Sequence, residues 1–223
     1  MDDKTHVLKD KSTKCILTYI VIVLVLIPII YMTISKMTDS TTLLQVILNL
    51  MCYISLSVVF IIILRKYLFN DLMNIKTRIL IDILVVIGGV LLIKGSEALC
   101  SWFYKLIGQE ISGDNQDSVV KSIESYPIMM FMSTVIFAPF VEEIVFRKCI
   151  FSYFKKDLYG ALISIATFAL IHVFASLDFI HILPYIFAGT IFSLSYILSK
   201  RNIWISILVH TIVNLISFII LVI

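Results

Sequence analysis

The chemistry in this 223-residue chain is concentrated in a few polar side chains set inside long apolar runs. Glu142 and Glu143 are adjacent carboxylates in APFVEEIVFRKCIFSYF, with Arg147 four residues beyond Glu143. Neighbouring carboxylates repel, and both lose hydration in apolar surroundings, so leaving both unpaired would be prohibitive. On a helix Glu143 and Arg147 share a face, whereas Glu142 points about 100° away from its neighbour. One acid is therefore expected to be neutralised by Arg147 and the other to be free for use. Phe168 and His172 in FALIH, and His210 and Asn214 in HTIVN, each stand one helical turn apart. A lone histidine in such a setting reads as an interhelical hydrogen-bonder. Joined to a spare carboxylate, the set reads as a device for activating water, with a general base and with imidazole and amide groups able to donate hydrogen bonds to a developing oxyanion.

The elements that must position these groups follow from composition. The chain is 60% hydrophobic and 15% charged, with a mean hydropathy of +1.04. That excludes a water-soluble domain and, with seven Gly and four Pro, a disordered or low-complexity chain. Seven runs are long enough to span a bilayer, at 15–34, 43–64, 79–104, 126–146, 159–176, 179–198 and 203–223. Each is expected to be helical, because no period-two pattern appears and an open sheet edge cannot face lipid. The fold class is thus an all-α polytopic membrane protein. The first run is too long for a signal peptide and lacks a small-x-small cleavage site after it, so it reads as a retained helix.

Of the 18 Lys and Arg residues, 14 fall at one end of the spans, in the N-terminus (Lys4, Lys9, Lys11, Lys14) and in loops two, four and six (Arg65, Lys66, Lys76, Arg78; Arg147, Lys148, Lys155, Lys156; Lys200, Arg201). The alternate loops hold only Lys36, Lys105 and Lys121. The positive-inside rule makes the N-terminus cytoplasmic and the C-terminus outward. The acidic stretch GQEISGDNQDSVVKSIES reads as a joint between a three-helix region, 1–125, and a four-helix region, 126–223.

Counting from cytoplasmic edges at 1.5 Å per residue puts Glu142, His172 and His210 roughly 20, 22 and 14 Å deep, so the three can meet near the midplane. A helix over 126–154 is too long to cross untilted, so Pro139 is expected to kink it or its cytoplasmic part to bend into the interface. Other polar groups read as structural. Asp82 sits near a boundary, Lys94 and Glu97 can pair at i, i+3, and Asp178 with His181 suits a solvated turn. Gly189 reads as a close-packing position, and Cys15, Cys52, Cys100 and Cys149 as small buried hydrophobes. There is no HExxH, no Ser/Lys dyad and no nucleophile elbow, and no basic cluster supports nucleic-acid binding. No repeat or inverted pair of broken helices favours a proton-coupled carrier.

Together EEIVFR, FALIH and HTIVN resemble, in order and on successive spans, the EExxxR, FxxxH and HxxxN/D motifs of the CPBP family. These are the CAAX-protease and bacteriocin-processing (Abi) intramembrane proteases, and the resemblance covers the last hundred or so residues. It implies a helical bundle around a polar cavity open to the cytoplasm, and hydrolysis of a peptide bond in a peptide or membrane-protein substrate. It assigns Glu142 as general base, His172 as the group that holds and polarises water, and His210 and Asn214 as oxyanion donors. Glu143 and Arg147 would support the first motif, and Phe168 would line the site. Members are often labelled metalloproteases, and Glu142, His172 and His210 would be the zinc ligands. Ligation would remove the only evident base, so the reading favoured here needs no cofactor, with Zn2+ as the alternative. The expected setting is a bacterial plasma membrane. A non-catalytic immunity or scaffold protein of the same fold is the competing reading.

Overall fold

The computed structural model describes residues 3–38, 40–75, 78–174 and 176–223. Lys76, counted above among the basic residues, lies outside the described residues, as does the side chain of Lys4. Among the described residues, seven helices are long and apolar enough to cross a membrane: α1 (His6–Met37), α2 (Thr41–Asn74), α3 (Ile79–Leu106), α5 (Pro127–Cys149), α6 (Asp157–Phe174), α7 (Phe179–Leu198) and α8 (Ile203–Val222). The acidic connection after α3 is itself largely helical, as α4 (Asp114–Ser125). α2 runs about ten residues beyond its expected end, so Arg65 and Lys66 are exposed helix positions rather than loop residues.

α5 is the central helix. Within its apolar window 56% of positions are buried, against 33% or less for each other span. Phe146 meets Tyr19 of α1 and Phe168 of α6 edge-on, while Phe151, just past α5, meets Tyr196 of α7. α3 packs on both α7 and α8. The crossing with α8 is close enough that a Cβ on Gly89 would lie 2.9 Å from Val209 Cγ1. The four cysteines are buried free thiols, as expected. Gly189 lies against Ile165 and Phe168 at ordinary contact distance.

Pro28 lies well inside α1 and Pro139 well inside α5, and each helix widens before it. In α1 the turn Val21–Leu26 is π-helical and the Ile27 N–H bonds to Ile22 O, five residues back. In α5 the turn Phe131–Phe137 is π-helical and the Ala138 N–H bonds to Ser133 O. Pro28 and Pro139 come next, each without an N–H, so the carbonyl next in that register is released. α5 therefore carries its proline through a widened turn. It also does not reach the lysines at 155 and 156. Ser152, Tyr153 and Phe154 donate to the carbonyls of Cys149, Ile150 and Phe151 in tight turns. Arg201 donates to the Phe151 and Phe154 carbonyls and pairs with Asp157 at 2.6 Å, where α6 begins.

Two of the cations assigned to the fourth loop are therefore not in a loop. Arg147 is fully buried and Lys148 nearly so, within a second π turn at Ile144–Cys149. Each has a carboxylate partner, Glu143 for Arg147 and Asp71 of α2 for Lys148. Their removal leaves the charge asymmetry intact, because the other cations of that end remain.

The Asp178–His181 pair is also not a solvated turn. His181 Nδ1 faces both carboxylate oxygens of Asp178 at 2.7 and 2.8 Å, and Nε2 faces Glu110 O at 3.0 Å. Asp178 Oδ2 further accepts the Asp114 N–H that opens α4. Although burial opposes it, these hydrogen bonds hold the Asp178 carboxyl below the usual aspartate range. The clamp closes on Gly113, where a Cβ would lie 2.6 Å from Asp178 Oδ2 and 2.7 Å from His181 Cβ. Gly113→Ala is expected to push α4 off the bundle at a cost of about 1–3 kcal/mol. A lowered melting temperature in detergent, with faster proteolysis around residues 108–125, checks it.

Candidate active site

The two adjacent acids separate as helical geometry requires. Glu143 faces the packed side of α5 and has no exposure. It accepts from Arg147 Nη1 at 3.0 Å, from the Ser206 hydroxyl and from His210 Nδ1 at 3.0 Å. Arg147 also donates to Gly189 O at 3.1 Å, and its guanidinium lies 4.6 and 5.2 Å from the ring centroids of Phe168 and Phe192. A buried cation in membrane protein needs this many partners. Gly189 thus supplies a carbonyl acceptor as well as a packing surface.

Glu142 faces a cavity of about 540 Å³ that is also lined by Phe168, His172, His210 and Asn214. Its Oε1 accepts from the Tyr53 hydroxyl at 2.8 Å, and its Oε2 lies 3.8 Å from His172 Nε2. His172 Nδ1 is 2.7 Å from Phe168 O, and a carbonyl can only accept, so Nδ1 carries the hydrogen. In the neutral ring Nε2 is then an acceptor pointing at a second acceptor, and the gap between them suits a donor such as water. The ring is held in place between Phe168, at 4.5 Å, and Tyr185, stacked at 4.7 Å.

The other two motif residues lie on α8, also facing the cavity. His210 stacks on Phe192 at 4.3 Å and gives its Nδ1 hydrogen to Glu143. It is thus tied to the structural acid and not to Glu142. Donation from Nε2 as well would require the ring to carry its second proton. Asn214 Nδ2 donates to Thr134 O at 2.8 Å, the carbonyl that Pro139 leaves unpaired, and retains a second N–H.

A catalytic zinc would need three such donors around one point. Among the described residues no three His, Cys, Asp or Glu side chains gather in that way. Glu142, His172 and His210 all line the cavity, and the bond from His210 Nδ1 to Glu143 leaves its Nε2 free. The remaining charges play other parts. Lys94 pairs with Glu97 at 2.9 Å and bonds Ser217 of α8, with Glu97 on the cavity wall. Asp82 is buried away from the cavity.

The cavity lies towards one end of the bundle. Its lining comes from the ends of α2, α3, α7 and α8 nearest α4, together with α4 itself, and not from the end that carries the basic loops. Sequence reasoning also missed Tyr53, Tyr185 and Ser206. Tyr53 belongs to a span outside the motifs, and a tyrosine within an apolar run is the only signal it gives.

The chain is similar to a known family and to several known proteins. Residues 124–216 match the profile of the type II CAAX prenyl endopeptidase Rce1-like family. The chain is 31% identical over 211 residues to the putative membrane peptidase YdiL of Bacillus subtilis (strain 168), covering 89% of this chain and 84% of that one. It is 33% identical over 112 residues to the membrane-embedded CAAX protease MroQ of Staphylococcus aureus (strain USA300), covering 48% of this chain and 44% of that protein. An uncharacterized protein of Mycoplasma capricolum is 33% identical over 97 residues, which cover 44% of this chain and 29% of that one. No solved structure gives a significant match. A multi-pass helical membrane protein with these relatives is of the membrane-peptidase class. The chain belongs to the CPBP family of CAAX proteases and their relatives.

Two outcomes follow from the geometry. Arg147→Ala is expected to cost about 3–5 kcal/mol by stranding Glu143 in a dry interior, read as loss of folded protein in detergent. Tyr53→Phe is expected to lower kcat about tenfold or more with KM and melting temperature unchanged, since a hydrogen bond to a charged group contributes roughly 1.5–3 kcal/mol. In a Glu142→Gln background the same change should cost nothing further, which a double-mutant cycle measures.

Proposed function

We propose that the chain is an intramembrane endopeptidase that hydrolyses a peptide or membrane-protein substrate with water activated by Glu142 and His172, without a metal. The observation that carries this reading is the pair of acceptors 3.8 Å apart, Glu142 Oε2 and His172 Nε2, on a cavity wall. Water seated there would donate one hydrogen to each, leaving a lone pair for the scissile carbonyl carbon. As the oxygen–carbon bond forms, Glu142 takes the proton and the carbonyl π electrons move onto oxygen. The free Asn214 N–H, and Nε2 of a doubly protonated His210, would receive that oxyanion. Collapse breaks the carbon–nitrogen bond, and Glu142 returns its proton to the leaving amine.

Tyr53 has a positioning role in this scheme, since it fixes the carboxylate with Oε2 towards His172. Glu143 and Arg147 act at one remove, by orienting His210 and by packing against Phe168. The expected setting is a bacterial plasma membrane, in keeping with the bacterial membrane-peptidase relatives.

The test compares purified wild type with Glu142→Gln on a peptide library in detergent, with and without a chelator, by mass spectrometry. Loss of the base is expected to reduce cleavage by about 10²–10⁴-fold, with wild type indifferent to the chelator. Full activity of Glu142→Gln would remove the assigned base. Abolition by chelator would replace the metal-free step with a metal-assisted one. A biological effect that survives both Glu142→Gln and His172→Ala would favour the non-catalytic scaffold.

A further inference from the structure

The cavity has a direction. Beyond Asn49 and Tyr53, its walls come from positions within 93–101, 111–123, 134–142, 168–192 and 210–221. No described position in 54–92, 143–167 or 193–209 contributes. Those excluded segments form the other half of the bundle. There Leu56, Phe60, Ile144, Phe146 and Cys149 are packed with at most 3% exposure, and the Glu143–Arg147 pair seals the floor. The cavity is therefore closed towards the end that carries Arg65, Lys66, Arg78, Lys155, Lys156 and Arg201, and it extends to the opposite end.

That opposite end bears Glu110, Asp114, Asp117, Glu124 and Asp178. Only Lys36, Lys105 and Lys121 offset them in its connections. Cytoplasmic loops are the ones that retain Lys and Arg, so the mouth lies on the far side of the membrane. α4 lies over this mouth. The Asp114 N–H donates to Asp178, and Asn115 Nδ2 donates to the Tyr185 hydroxyl at 2.9 Å. Tyr185 in turn stacks on His172, so α4 is bonded to the ring that covers one face of the histidine.

We infer that the site takes its substrate from the non-cytoplasmic face. The substrate class is then an already exported peptide, or the outer end of a membrane protein, and not a tail presented in the cytoplasm. The sidedness stands on cavity and charge alone, whereas the substrate class also rests on the peptidase reading above.

A cysteine-labelling experiment on the full chain in intact cells tests the sidedness. The four native cysteines are buried, so wild type is the blank. Gln116→Cys, on exposed α4, is expected to react with a membrane-impermeant maleimide in intact cells. Lys156→Cys, exposed at the basic end, is expected to react only after permeabilisation. The reverse pattern overturns the inference, whatever the activity. For the substrate class, right-side-out vesicles should cleave an impermeant fluorogenic peptide library about tenfold or more faster than everted ones, with detergent equalising the two. Faster cleavage by everted vesicles overturns the class. Equal cleavage by Glu142→Gln vesicles would instead defeat the peptidase reading while leaving the labelling result standing.

Discussion

A glutamate and an arginine with no solvent exposure, in the middle of an apolar bundle, set the constraint that the remaining structure obeys. Removing two charges from water is costly, and their attraction offsets that cost only when the remaining donors and acceptors are also engaged. Glu143 and Arg147 meet most of this requirement with groups drawn from three other helices: Ser206 and His210 of α8, the Gly189 carbonyl of α7 and the Phe168 ring of α6, with the Arg147 Nε hydrogen left without a partner among the described residues. Each partner is held in turn. His210 is pinned by the acid below it and Phe192 beside it, while Phe168 directs His172 through its backbone carbonyl. The ion pair therefore lies outside the reacting space yet fixes the orientation of most groups that face it.

Proline has an equally local cause and a long reach. Pro139 has no N–H, and the π turn before it shifts the bonding register so that Thr134 O is left over. A bare carbonyl in a membrane interior must find a donor. Asn214, from α8, supplies it, which places the amide on the cavity wall. A π turn in a membrane helix is thus part of how the site is assembled, joining a backbone defect on one helix to a motif residue on another.

Much of this was legible from composition and spacing. Seven spans follow from apolar run length, and the Glu143–Arg147 pairing follows from a four-residue interval on a helix. What could not be read was tertiary. Arg147 and Lys148 look like loop cations because charge predicts exposure unless a partner is known, and Asp71 lies 77 residues away from Lys148. His181 looks solvated for the same reason, since its second acceptor, Glu110 O, comes from another connection. Tyr53 sits on a span that the motifs do not cover, and its meeting with Glu142 across 89 residues has no local signature. The direction of the cavity was set by α4, whose acidic sequence reads as a linker until it is seen packed across the bundle mouth.

Adjacent acids are a compact way to build both a support and a reactive group. Because successive helical residues diverge by about 100°, a single helix can direct one carboxylate into a dry, fully bonded interior and the next into a cavity. The dry one is committed, since every lone pair it turns inward must be matched. The other is spared that demand only where the neighbouring helices stand apart. Here that separation lies on the α4 side of Phe192 and Phe168, whose rings border both the ion pair and the cavity. Moving the pair by one residue along α5 would turn both acids by about 100° and take the first off the cavity wall that faces His172. The fixed order of the motif, two acids and then an arginine four residues after the second, is thus a requirement of helical geometry as much as of chemistry.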